Sequence, residues 1–132
     1  MSIDYLKRIT PNHIDSLEKG QIFVFGSNLA GMHGGGAARM ARIHFGAIMG
    51  NGDGPQGESY AIPTMQGGVE TILPYVEKFI EYAISNPDKT FLVTPIGCGI
   101  AGFSAEEIAP LFKKAIAINN IWLPLSFWDI LL

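Results

Sequence analysis

Two glycine-rich stretches hold the residues whose types and spacing could do chemistry. The first, "GSNLAGMHGGGA" (26–37), contains Ser27, Asn28, His33, the run Gly34, Gly35 and Gly36, and Ala37. The second, "GCGIAGFS" (97–104), contains Gly97, Cys98, Gly99, Ile100, Ala101, Gly102 and Phe103. Glycine loses more backbone freedom on folding than any other residue, so three in a row are costly. Backbone without Cβ atoms can wrap closely round a phosphate. A helix start adds unpaired N–H groups and the positive end of the helix dipole. Two such turns facing each other across one crevice would cradle a diphosphate, with the amides of residues 34–37 and 99–103 as donors. One glycine-rich turn is weak evidence, because a tight strand-to-helix turn can itself demand positive φ. Two, at equivalent places, favour a ligand.

The side chains among these glycines each carry two readings. Asn28 tolerates turn conformations, but its place just before the glycine run favours contact with a ribose. His33 reads first as a solvent-exposed loop residue and second as a donor to phosphate. Cys98 near a helix start could be an activated thiol. The nucleophile-elbow pattern, however, needs glycines two residues to either side, and Ile96 and Ile100 stand there. A small buried hydrophobe is the preferred reading. Phe103 could stack on a ribose or pack in the core. Asp53 and Glu58 are the nearest loop carboxylates. Gly26 and Gly31 have P-loop spacing, but Met32 and His33 follow where Lys and Ser/Thr are required. Neither an NTPase nor a nicotinamide dehydrogenase is favoured. The single cysteine excludes an intrachain disulfide and a cysteine-rich zinc site. No cofactor or metal is expected.

The elements that must position these loops follow from periodicity. "QIFVF" (21–25) is a continuous apolar run, read as a strand covered on both faces. A small-residue helix over 37–45 follows the triple glycine. "SYAIPT" (59–64) and "TFLVTPIG" (90–97) read as strands, and "IWLPLSF" (121–127) as a last strand. A helix over 73–86 carries a buried stripe of Val76, Phe79, Ile80 and Ala83 at i, i+3, i+4 and i+7. Another begins at the capping box of Ser104 and Glu107 and continues through Ile116. A short helix is expected from Thr10-Pro11 to Gly20, with Thr10 as its cap and Ile9 and Ile14 as its staple. The stretch "GNGDGPQGE" is expected to be an irregular loop. The alternation of strand and helix predicts an α/β fold with a mostly parallel sheet sandwiched between helices, in one domain.

Composition sets the bounds. The chain has 132 residues, 48% of them apolar and 16% charged, which suits one globular domain. Its formal net charge is -3 and its nine Lys and Arg are scattered, so no nucleic-acid surface is expected. The start "MSIDYLKRIT" has no signal-peptide pattern. The apolar tail "IWLPLSFWDILL" falls short of the roughly 20 residues that span a bilayer. A soluble cytoplasmic protein without membrane contact is expected. Trp122, Phe127 and Trp128 in that tail could bury against a second copy, which would make an oligomer.

The stretch "VFGSNLAGMHGGGAARMARIHFGA" resembles the first ligand loop of the macrodomains, the ADP-ribose-binding family. "TPIGCGIAGFSAEEIAPLF" resembles their second, and the likeness covers about 21–118. Its "IGCG" form is closest to the branch containing terminal ADP-ribose protein glycohydrolases. "FGSNLAG" and "YAIPT" also resemble phage and bacterial macrodomain-like sequences. The resemblance implies a compact three-layer α/β/α sandwich. It implies Asn28 on the distal ribose, Gly34, Gly35 and Gly36 on the diphosphate, and ADP-ribose or an ADP-ribosylated molecule as partner. In the glycohydrolase branch an aspartate follows the G-C-G-hydrophobic stretch, where this chain has Ala101. That branch also has a nucleophilic lysine after the second strand, where this chain has Thr64, Met65 and Gln66. The family's adenine-selecting aspartate precedes the first strand, and Asp15 is the nearest candidate. Three functional classes remain: a binding module, a hydrolase removing ADP-ribose or its terminal phosphate, and a thiol enzyme using Cys98.

Overall fold

The computed structural model describes residues 5–132. Residues 1–4, part of the N-terminal stretch read above, lie outside it. The fold is mixed α/β. Strands β1 (Gln21–Ser27), β2 (Gly54–Gln56), β3 (Ser59–Pro63), β4 (Thr90–Val93) and β5 (Ile121–Trp122) form one sheet in the order β2-β3-β1-β4-β5. The pairs β1–β3, β1–β4 and β4–β5 are parallel, and β2 runs antiparallel to β3. Among the described residues four α-helices accompany them: α1 (Gly36–His44), α2 (Val69–Ile84), α3 (Ala105–Ile108) and α4 (Leu125–Leu131), the last of them beyond β5. Among the described residues no helix is long and apolar enough to cross a membrane.

Central β1 shows why its run is apolar throughout. Successive strand side chains point to opposite faces. Ile22 and Val24 join a large cluster with α2, α3 and α4, whereas Phe23 and Phe25 join Ala38, Ala41 and Phe45 of α1 and the turn after it. The expected stripe of α2 is buried in the larger cluster, with Ile72 added. The capping box holds: Ser104 Oγ accepts from Glu107 N at 3.3 Å, and Glu107 Oε1 accepts from Ser104 N at 3.0 Å.

Four expectations about elements need correction. Residues 11–18 form no helix. The Thr10 amide donates to the Leu123 carbonyl at 2.9 Å and Ile9 bridges Leu123, so the residues just ahead of this segment pair with the chain directly beyond β5. The Thr10 hydroxyl caps nothing; it is buried without a partner. The glycine-rich stretch after α1 is not wholly irregular, because it contributes β2. Gly57, at φ +58, turns the chain back into β3. Helix α2 starts at Val69, upstream of Pro74, which lies inside it. The helix begun at Ser104 changes character after Ile108 and continues as a 3-10 segment, Ala109–Ala117, with Pro110 near its start.

The C-terminal stretch departs furthest. Only Ile121 and Trp122 pair as a strand, and Pro124 starts α4 instead. Proline cannot donate to a sheet ladder, yet it suits the entry to a helix. Phe127 and Trp128 are fully buried within their own chain and are not free to meet a second copy. Arg8 organises this end. Its guanidinium makes five hydrogen bonds, to the carbonyls of Ala115, Ile116, Ile118 and, twice, Ile121. It lies 5.0 Å from the centre of the Trp128 ring, and Trp128 Nε1 donates back to the Arg8 carbonyl.

Candidate functional site

Parallel strands deliver their carboxyl ends, and the loops beyond them, to one edge of the sheet. Here β1, β3 and β4 do so side by side. The Thr64 amide donates to the Ser27 carbonyl at 2.8 Å and the Thr94 amide to the Val24 carbonyl at 3.1 Å, which ties the three strand ends together. Gly26, at the end of β1, lets the second loop approach. A Cβ there would stand 3.3 Å from Thr64 Oγ1 and 3.4 Å from the Gly97 nitrogen. A pocket of about 490 Å³ opens above these ends.

Both glycine-rich loops line that pocket. From the first come Ser27, Asn28, Gly35, Gly36 and Ala37; from the second come Gly97, Cys98, Gly99, Ile100 and Ala101. A Cβ at Gly35 would lie 3.8 Å from Ile100 Cδ1, so the two loops approach each other across the opening. His33, Gly34, Gly102 and Phe103 do not line it. Phe103 packs against the larger core cluster. His33 is fully buried rather than exposed, with its ring against Phe25.

The state of the amides decides what the pocket can hold. Helix α1 starts at Gly36 behind Gly35, which provides no side-chain cap. The amides of Gly35, Gly36, Ala37 and Ala38 donate to no acceptor among the described residues, nor do those of Gly97, Gly99, Ile100 and Ala101. Three expected donors drop out. Gly34 donates to the Met32 carbonyl, Gly102 to the Gly99 carbonyl and Phe103 to the Gly97 carbonyl. The second row also owes nothing to a helix dipole. Helix α3 begins only at Ala105, and Ser104 and Glu107 close its start. The second row is a turn, not a helix end.

Gly97, Gly99 and Gly102 have the G-x-G-x-x-G spacing of dinucleotide-binding turns. That motif seats a pyrophosphate on the following helix and an acidic residue about 20 positions on, beside the ribose. Here the following helix is capped by its own chain, and the next strand is Ile121–Trp122. The spacing is present without the rest of the motif.

Glycine has a local reason at only some of these positions. Gly36 and Gly97 sit at φ +57 and +74, which side-chain-bearing residues rarely adopt. Gly34, Gly35 and Gly99 have ordinary φ. A Cβ at Gly34 or Gly99 would meet nothing within 4 Å, and at Gly35 it would make only ordinary contact. The fold itself does not ask for glycine there.

The pocket's hydroxyls are turned towards backbone carbonyls. Thr94 Oγ1 donates to Val24 O at 2.7 Å, Thr64 Oγ1 to Ser27 O at 3.4 Å, and Ser27 Oγ to Gly52 O. Asn28 closes its own turn: its Oδ1 accepts from the Met32 amide at 3.1 Å. Cys98 is the one titratable side chain among the lining residues. Burial, with Glu106 and Glu107 behind it, pushes its thiol up, away from the nucleophilic thiolate. Asp53 is engaged elsewhere, 2.6 Å from Lys78 Nζ. Among the described residues no cluster of His, Cys, Asp and Glu could hold a metal.

Sequence reasoning missed two parts of this region. Thr94 and Pro95, directly beyond β4, line the pocket, and so do Thr64 and Met65, read only as replacements for a family lysine. Their position just past a parallel strand was the available signal. A second cleft of about 270 Å³ adjoins the pocket and shares Gly36, Ala37, Thr94 and Pro95 with it. Ile14, Phe23 and Met40 supply apolar walls, and Asn12 and His13 supply polar groups. His13 Nε2 lies 2.7 Å from Asp15 Oδ1, with both side chains exposed. Nothing in the sequence placed 11–14 here, because that segment reads as helix. Comparison with family models, with curated proteins and with solved structures gave no match.

Proposed function

We propose that the chain is a macrodomain-like protein that binds ADP-ribose or a closely related nucleoside-diphosphate sugar. One observation carries the reading: two rows of unpartnered amides, at residues 35–38 and at 97 and 99–101, line a single pocket. A diphosphate offers acceptor oxygens on both sides, so it could satisfy both rows together. Glycine at Gly35 and Gly99, unneeded by the fold, leaves room for it. The adjoining cleft then suits the nucleobase, against Phe23 and Met40 with Asn12 and His13 at its edge. The sugar beyond the diphosphate points towards Asn28, Thr64 and Met65. The three-layer α/β/α arrangement belongs to the same proposal. Its support is the division of β1's alternate side chains between the α1 cluster and the α2 cluster.

Binding is a better reading than turnover. The residues lining the main pocket include no carboxylate and no imidazole, and burial pushes the Cys98 thiol up, away from the thiolate. A hydrolytic step would need the ligand's own diphosphate to orient water. Calorimetric titration with ADP-ribose, with ADP and with ribose 5-phosphate tests the reading. ADP-ribose and ADP should bind, and ribose 5-phosphate should bind far more weakly. Absence of ADP-ribose binding at millimolar concentration would remove the proposal.

A further inference from the structure

The first row of amides begins in the glycine run and continues into the first turn of α1. Gly34, Gly35 and Gly36 have no side chains, and glycine samples the widest range of backbone angles. The one large side chain directly ahead of them, His33, is fully buried. Its Nε2 lies 3.0 Å from the Asn51 carbonyl. A carbonyl only accepts, so Nε2 is the donor in this contact. Nδ1 is buried without a partner. The ring meets Phe25 edge-on at 5.2 Å between centres, and the His33 carbonyl accepts from Arg42 Nε of α1 at 3.3 Å. The residue is thus fastened to β1, to α1 and to the segment between α1 and β2.

We propose that His33 is the positioning residue of the first amide row: its ring, bonded to Asn51, fixes where the glycine run begins and so presets the Gly35, Gly36 and Ala37 amides. The proposal rests on the diphosphate reading of the pocket. Its physical content is preorganisation, since a loop ordered before binding spends less affinity on being ordered. Asn51 O also accepts from Gln56 Nε2 at 3.0 Å, so removing the ring does not orphan that carbonyl. The consequence should fall on loop order more than on global stability.

Two substitutions separate positioning from mere space-filling. His33→Leu keeps an apolar plug but loses the donor. His33→Gln keeps an N–H that can reach Asn51. Amide spectra of the free protein should show the Gly35, Gly36 and Ala37 signals displaced in His33→Leu and near their wild-type places in His33→Gln. The Gly99, Ile100 and Ala101 signals should hold in both. The ADP-ribose Kd should rise about tenfold in His33→Leu, equivalent to about 1.4 kcal/mol, and stay within about threefold of wild type in His33→Gln, which keeps the hydrogen bond. The idea is overturned if the first-row signals do not move in His33→Leu, or if His33→Gln behaves no better. Should wild-type protein fail to bind ADP-ribose, the diphosphate reading falls and the spectra of the free variants alone decide whether His33 positions the loop.

Discussion

Replacing Gly99 by glutamate tests the second amide row directly. Gly99 lines the pocket, its φ is ordinary, and a Cβ there would meet nothing within 4 Å. The substitution therefore costs the fold little. It does put a carboxylate where a diphosphate is proposed to lie. Two unit charges about 6 Å apart, at an effective dielectric near 20, repel by about 3 kcal/mol. A Kd weakened roughly a hundredfold follows, since each factor of ten is about 1.4 kcal/mol. Gly99→Gln has nearly the same shape without the charge, so the gap between the two variants isolates electrostatics from crowding. Calorimetry with ADP-ribose gives the affinities, and thermal melts show whether each variant is folded. A folded Gly99→Glu protein with wild-type affinity would mean that no anion sits against this turn.

The same structure makes three further predictions. No Lys or Arg lines the pocket, so ADP-ribose affinity should fall by less than about threefold between 50 and 200 mM salt, because backbone dipoles release few counterions; a tenfold fall would point to cationic side chains instead. Arg8→Met should cost about 3 kcal/mol in urea unfolding, because it removes five hydrogen bonds and strips the buried Ile121 carbonyl of both its Arg8 donors; a loss under about 1 kcal/mol would show that the contacts around Arg8 are expendable. Cys98 should be alkylated at pH 8 more slowly than a free thiol, since its raised pKa leaves less thiolate at that pH, and Cys98→Ser should keep ADP-ribose affinity. Rapid alkylation, or loss of binding, would reopen the thiol reading.

Several features were legible because they depend on neighbours in the chain. The β1 run, the Val76–Phe79–Ile80–Ala83 stripe and the Ser104–Glu107 box each express one local rule, and each stands in the structure. The two glycine-rich loops were likewise visible, and their meeting at one pocket followed from a parallel sheet placing strand ends together.

What the sequence could not carry was competition between distant groups. Thr10-Pro11 has the signature of a helix start, but Ile9 and Thr10 pair with Leu123, the Thr10 hydroxyl caps nothing, and residues 11–18 form no helix. "IWLPLSF" reads as strand until Phe127 and Trp128 find a buried place beside Arg8 and the 3-10 segment. His33 reads as a solvated loop residue until Asn51, 18 positions on, is brought within 3.0 Å. Which amides stay unpaired is settled in the same way. A local pattern names the donors, but only the folded chain reveals which acceptors arrive, because hydrogen bonding and burial are decided by the contacts that win once the chain is compact.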